Sequence, residues 1–172
     1  MGRVQAGDEA ALGALMTRWE RPVKSLVGRI VLNAGEAEEL AQETFVRVWQ
    51  QREKFRAEAE FRPWIFAIAV NLARNRLRWW RRRPEVGLEE WTEGAADSTD
   101  SAQAAERSER ATAVRDAVAA LPLELREALV LFQYEQLSHA EIATTLGCTP
   151  KAVETRIYRA REKLRGVLKR WT

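Results

Sequence analysis

The sequence predicts an all-α protein: two small helical domains joined by a flexible linker, the C-terminal one a helix-turn-helix. Three observations carry this. Apolar residues recur three and four apart over long stretches, and no segment alternates with period two. A polar, acidic stretch over residues 85–107 interrupts the pattern. Finally, Ser138-His139-Ala140-Glu141, then Gly147, then Thr149-Pro150 punctuate the C-terminal part as two capped helices around a tight turn.

The elements follow in order. Asp8 is placed to cap a first helix, with Leu12, Leu15, Met16 and Trp19 on one face. Pro22 should interrupt or kink it, since proline lacks the N–H that a helix interior needs. Val23, Leu26, Val27 and Ile30 resume the spacing, and Gly35 is a plausible stop. A second helix starts near Glu36, with Ala37, Leu40, Ala41, Thr44, Phe45 and Val48 as its buried stripe. Its other face carries Glu39, Gln42, Glu43 and Arg47. Residues 51–62 read as a loop or frayed helix end. Pro63 suits the first turn of a third helix running through WIFAIAVNLARNRLRWW, apolar first and basic later. Beyond the linker, Ala111–Ala120 is a helix stopped by Pro122, and Leu123–Gln136 is another with Leu125, Ala128, Leu129 and Phe132 on one face. Ser138 and Glu141 form a capping box that opens a short helix to Leu146. Gly147 ends it, and a long helix runs from Lys151 to about Lys169. Ala143, Leu146, Val153, Ile157, Ala160 and Leu164 would pack, leaving Lys151, Thr155, Arg156, Arg159 and Lys163 exposed.

Composition bounds the chemistry. The chain has 28 Lys+Arg against 25 Asp+Glu, a net charge of +3, too small for a histone-like polycation. The distribution is more informative than the sum. Residues 1–84 carry 16 basic and 10 acidic residues, residues 85–107 one and seven, and residues 108–172 eleven and eight. Two basic blocks therefore flank an acidic one. With only Leu88 and Trp91 as large apolar residues, the acidic block cannot offset the entropy of ordering it. It reads as a solvated spacer, or as a segment whose acidity mimics nucleic acid or keeps it off the basic blocks. A single cysteine, Cys148, excludes a disulfide framework and a cysteine zinc site. A single histidine, His139, excludes a histidine-clustered metal site. No metal or cofactor is expected, and no constellation fits a catalytic site, so an enzyme is not expected. No apolar run approaches the roughly 18 residues of a membrane span, and no signal peptide is visible. The expectation is a cytoplasmic protein.

Two features point to nucleic acid. A second helix with exposed Arg, Lys and Thr fits the major groove, where Arg pairs with guanine and Lys holds phosphates. An ordinary helical pair with a solvated basic face is the plain alternative, and the capping box and Thr-Pro start count against it. Glu154 could accept from cytosine N4, pair with a cation on its own helix, or repel phosphate. In the third helix, Phe61, Trp64, Trp79 and Trp80 lie among Arg62, Arg74, Arg76 and Arg78, a mixture that suits base stacking on a single strand. Trp64 reads better as core, and Phe61 as the stacking candidate. Asn71 and Asn75, one turn apart, could read base edges or be plain surface amides.

These residues resemble a known family. AGDEAALGAL, AEELAQETFVRVW, F-x5-F-x2-W-x3-IAVN and the basic run that follows look like the first conserved domain of bacterial RNA polymerase sigma factors. ALPLELREALVLFQYEQLSHAEIATTLGCTPKAVETRIYRAREKLR looks like their last domain. The two matches occur in order, with no middle domain between them. That layout resembles the extracytoplasmic-function (ECF) group of the sigma-70 family. The resemblance implies region 2 over 1–84, a linker over 85–107 and region 4 over 108–172. It places Glu39, Leu40, Gln42 and Glu43 on the motif that docks on core RNA polymerase. Phe61, Arg62, Asn71, Arg74, Asn75 and Arg78 fall on the segment that captures the minus-10 strand and opens the duplex. Lys151, Thr155, Arg156 and Arg159 fall on the helix that reads the minus-35 element. It also implies promoter DNA and an anti-sigma factor as partners. In the free protein the linker would let the two modules approach each other. The chain departs from the pattern at Glu154, where a basic or neutral residue is common, and at Asn75, where an acid is frequent. The pair Trp79 and Trp80 lies outside it. The start at MGRVQAGD suggests a shortened N-terminus.

Overall fold

The structure, a computed structural model, describes residues 1–82 and 102–169. Helices α1 (Gly2–Gln5), α2 (Glu9–Val31), α3 (Ala34–Gln50) and α4 (Phe61–Arg81) make the N-terminal unit, with a 3-10 turn at Arg52–Lys54. Helices α5 (Ala102–Ala119), α6 (Leu123–Gln133), α7 (His139–Leu146) and α8 (Pro150–Leu168) make the C-terminal unit. No strand occurs among the described residues.

In the N-terminal unit α2, α3 and α4 pack on one another. Leu26, Val27 and Ile30 of α2 meet Leu40, Phe45 and Val48 of α3 and Ile65, Phe66 and Val70 of α4. Burying each such side chain stabilises the fold by about 1.5–3 kcal/mol. The stripe expected for α3, from Ala37 to Val48, is the buried set observed. Asp8 caps α2 as expected, accepting from the Ala11 N–H at 2.9 Å. The first half of α2 is covered less: Leu12, Leu15 and Trp19 are half-buried, and Met16 is exposed.

Two expectations in this unit are corrected. Pro22 does not interrupt α2, which runs through it as one helix. The lost hydrogen bond is tolerated because the next nine residues are anchored in the core by Val23, Leu26, Val27 and Ile30. Nor does Gly35 end that helix. Leu32 takes the left-handed conformation at φ 61° and its N–H bonds the Gly28 carbonyl. Asn33 then caps α3, accepting from the Glu36 N–H at 2.8 Å, which puts Gly35 inside α3. A leucine in this region costs roughly 1–2 kcal/mol, and the adjoining Asn33 cap helps to hold it.

The C-terminal unit departs from expectation at three places. Helix α5 begins at Ala102, not Ala111, because AQAAERSERA is built from strong helix formers. Residues 102–107, expected in the linker, are therefore helical. The rest of the expected linker falls outside the described residues. Helix α6 ends at Gln133, and the chain turns through Gln136 at φ 53°. Above all, α6 is buried on every side from Leu125 to Leu131, not on one face. It packs on α7 and α8 within its own unit and on α2 of the other.

That packing bears on the arrangement of the whole chain. Helix α7 lies on α4 and α6 on α2, and the two apolar cores merge into one. The two modules therefore meet, as the reading of the free chain allows, and do not stand apart. Complementary apolar and charged faces bring them together.

Candidate functional site

Three surfaces gather the residues named from sequence. The first is the outer face of α3. Glu39 and Gln42 are exposed, while Glu43 is half-buried and paired with Arg47 at 3.1 Å. Leu40 is buried, so it seats the helix and does not present a surface. Arg76 of α4 bonds Glu36 and lies 3.4 Å from Glu39, bracing the face from behind. Burial raises the Glu36 carboxyl above its usual range, against the opposing effect of Arg76. Sequence reading missed Val46, an exposed apolar residue beside Gln42 and Glu43. An exposed apolar residue on a helix face that also carries Glu39, Gln42 and Glu43 suits a protein partner. Its signal was present, since Val46 falls outside the buried stripe.

The second surface is α4. Its start is held by five aromatic rings. Phe61 meets Trp19 at 5.5 Å and Trp64 at 5.9 Å, and Phe55 meets Trp64 at 5.1 Å. Phe66 joins through Trp19 at 5.9 Å. Phe61 and Trp64 are both half-buried within this cluster, so the distinction drawn from sequence between stacking and core roles is not sharp. Asn71, Asn75 and Arg78 share one exposed face, with the Arg78 guanidinium donating to Asn75 Oδ1. The predicted set spans about 24 Å from Arg62 to Arg78, at about 1.5 Å per residue. Arg74 departs from that face. Its Nε and Nη2 donate to both carboxylate oxygens of Glu127 on α6, at 2.8 and 2.7 Å. These bonds raise the Arg74 pKa further, keeping it charged. Trp80 is buried, and Trp79 is 36% exposed.

The third surface is the helix-turn-helix. The capping box is complete: the Glu141 N–H donates to Ser138 Oγ at 3.3 Å, and the Ser138 N–H to Glu141 Oε2 at 2.7 Å. Hydrogen bonds from Ser138 hold the Glu141 carboxyl below its usual range. Gly147 takes φ 67°, the left-handed conformation glycine adopts without penalty. The Thr149 hydroxyl then accepts from the Ala152 N–H, and Pro150 opens α8. Val153, Ile157 and Ala160 are buried, which leaves Lys151, Thr155 and Arg159 facing outward. Tyr158, 65% exposed between Thr155 and Arg159, belongs to this face and was missed. The position of an aromatic outside the packed stripe was its only signal. Glu154 pairs with Lys151 at 2.8 Å, which favours the second of its three readings. Hydrogen bonding to Lys151 lowers the Glu154 pKa, so it stays ionised.

The expected exposure of Arg156 is corrected. Only 22% of its side chain is exposed, and it lies 3.4 Å from Glu124 and 3.8 Å from Cys148 Sγ. Its place on the flank of α8, between the buried Val153 and Ile157, turns it toward α6 and the turn. Among the described residues no group of His, Cys, Asp or Glu is placed to hold a metal ion. None of the described helices is long and apolar enough to cross a membrane.

The chain matches Sigma-70 region 2 over residues 15–83 and Sigma-70 region 4 over residues 111–164. The RNA polymerase sigma-H factor of Pseudomonas aeruginosa is 36% identical over 94% of this chain and 88% of its own length. The ECF RNA polymerase sigma-E factor of Escherichia coli is 33% identical over the same shares. CnrH, solved in complex with the cytosolic domain of CnrY, superposes with a TM-score of 0.74, covering 99% of this chain and 96% of its own at 27% identity. The sigma factor RpoE of Bartonella quintana, solved with the anti-sigma factor NepR, shares the fold at a TM-score of 0.72 and 21% identity, covering 91% and 96%. With both regions present in order and relatives matched nearly end to end, the chain belongs to the sigma-70 family of RNA polymerase initiation factors, in its extracytoplasmic-function group.

Proposed function

We propose that this chain docks on core RNA polymerase through the outer face of α3 and gives the enzyme its promoter address, without itself catalysing a reaction. Residues 1–84 act as region 2, residues 85–107 as the connecting segment and residues 108–172 as region 4. Glu39, Gln42 and Glu43 make the polymerase contact around Val46. Asn71, Asn75 and Arg78, with Phe61, Arg62 and Arg74, take the minus-10 strand. Lys151, Thr155, Tyr158 and Arg159 enter the minus-35 major groove. The observation that carries this reading is the pairing, on one chain, of an acidic face that repels DNA with an exposed basic helix that suits it.

The mechanism is two weak grips made strong by tethering. Each unit alone meets promoter DNA through few contacts. Once the chain is fixed on polymerase, the second contact becomes intramolecular and its effective concentration rises, reaching about millimolar for a short connection. A protein that covers the α3 face would keep the chain from polymerase, and this is the place for an anti-sigma factor. The chain works in the cytoplasm, where polymerase and promoter meet.

Run-off transcription with purified core polymerase tests the reading. The chain should yield discrete start sites that core alone does not produce; unchanged transcription would refute it. Gln42→Ala combined with Glu43→Ala should weaken core binding several-fold without changing helix content. An unchanged core affinity would remove the α3 assignment.

A further inference from the structure

The segment between α3 and α4 leads the chain into the aromatic cluster at the start of α4. From Glu53 to Glu60 every residue is exposed except Phe55, so this connection is pinned at one side chain. The Phe55 ring lies 5.1 Å from Trp64 and 6.1 Å from Phe61, edge-on to both. Phe61 therefore meets two flanking rings. Trp19, at 5.5 Å, is carried by α2 and held by that helix. Phe55 is carried by a connection whose regular structure is one 3-10 turn, Arg52–Lys54, and it needs an anchor.

The anchor comes from the first residues of the chain. Gln5 Nε2 donates to the Phe55 carbonyl at 2.8 Å, across 50 residues of sequence. Val4 beside it is 1% exposed, and α1 packs on both α2 and the 3-10 turn. A helix of four residues does not hold itself in water. Here it is tied back by a set of hydrogen bonds. Arg3 Nε donates to Asp8 Oδ2 at 2.8 Å, the Asp8 N–H to the Arg3 carbonyl at 3.0 Å, and the Gly7 N–H to the Val4 carbonyl at 3.0 Å. Gly7 makes the turn at φ 85°, which glycine adopts without a Cβ penalty. Asp8 also caps α2, the helix that carries Trp19. Both rings that flank Phe61 thus trace back to α2, one directly and one through Gln5.

We propose that residues 2–8 form a clasp that sets the orientation of Phe61 for stacking on the minus-10 strand, with Gln5 and Val4 as positioning residues that act through Phe55. This rests on reading the start of α4 as the strand surface. Stacking on a base needs a ring held at a fixed tilt. A ring that is in place for only part of the time binds with an affinity reduced by that fraction.

The test uses holoenzyme reconstituted from the full chain and core polymerase. Its probes are a fluorescent single strand covering the minus-10 element of a start site mapped by run-off transcription, and a duplex covering the minus-35 element of the same promoter. Gln5→Met keeps side-chain length and charge but removes the donor. It should weaken strand binding about two- to tenfold, the range for loss of one hydrogen bond, and leave core affinity and duplex binding unchanged. Val4→Ala should act in the same direction, and it decides the matter by the same comparisons if Gln5→Met fails to fold. Phe61→Ala should weaken strand binding by at least about fivefold. Adding Gln5→Met to Phe61→Ala should weaken it no further, because the clasp has then lost the ring it positions. A purely structural clasp would lower the unfolding midpoint of Gln5→Met and leave strand affinity of the folded variant unchanged, and that result would overturn the proposal. Full additivity with Phe61→Ala would overturn it too. Strand binding by wild-type holoenzyme no tighter than by core alone would instead remove the reading of α4 as the strand surface, and the clasp with it.

Discussion

Helices α4 and α8 are both assigned to DNA, yet the structure treats them differently. On α8 the reading face is open: Lys151, Thr155, Tyr158 and Arg159 point outward, and the one carboxylate among them, Glu154, is paired on its own helix. Of the residues assigned to DNA on α4, Asn71, Asn75 and Arg78 are open, while Arg74 pairs with Glu127 of the other unit. A basic sequence is therefore not by itself an available basic surface. What decides availability is the charge carried by the neighbouring element, and α6 carries it against α4 through Glu127.

The largest effect that would break this contrast is loss of the scaffold behind α4. Phe66 is fully buried and anchors the aromatic cluster that fixes Phe61 and Trp64. Phe66→Ala should cost about 3–5 kcal/mol in denaturant unfolding. A cost below about 1 kcal/mol would mean that the cluster is not built around it.

Next come two arginines of α8. Arg159→Ala should cost about 1–3 kcal/mol of discrimination at one minus-35 position if it reads a base. Arg156→Ala should instead reduce transcription evenly across minus-35 sequences, because that side chain is committed to Glu124 and Cys148. Competition between mutant promoters on reconstituted holoenzyme separates the two. Sequence-selective loss in Arg156→Ala would restore it as a reader.

The cap that positions α7 against α4 gives a smaller effect. Ser138→Ala should lower stability by about 1 kcal/mol at neutral pH. Because Glu141 is held below its ordinary value of 4.5, the stabilisation it gives is present above that pH and lost as pH falls through its lowered folded value. The gap between wild type and Ser138→Ala should accordingly narrow in acid. A gap independent of pH would show that the Glu141 arm of the box contributes nothing. The smallest effect is expected at Glu154, whose pair with Lys151 is exposed. Glu154→Gln should leave the melting temperature unchanged and alter only minus-35 binding.

The elements inside each unit were legible in the sequence because local rules govern them. The Asp8 cap, the α3 stripe, the Ser138–Glu141 box and the Thr149-Pro150 start all form as their spacing dictates. The misreadings share another cause. Val130, Leu131 and Glu127 looked like the outer side of α6 because periodicity cannot tell that a second unit covers that side. Pro22 looked like a break because a lone proline gives no sign that the following turns are anchored. Of the site residues, those on α8 could be read from one amphipathic pattern, and only Arg156 fell on its flank. The partner of Arg74 could not be read at all, since Glu127 lies 53 residues from it in the chain.

The contrast between the covered and open helices can be measured on single side chains. Dicarbonyl labelling of arginines, read by mass spectrometry, reports the access of reagent to each guanidinium. In the free chain Arg159 should label quickly and Arg74, paired with Glu127, slowly. Equal labelling of Arg74 and Arg159 in the free chain would contradict the account.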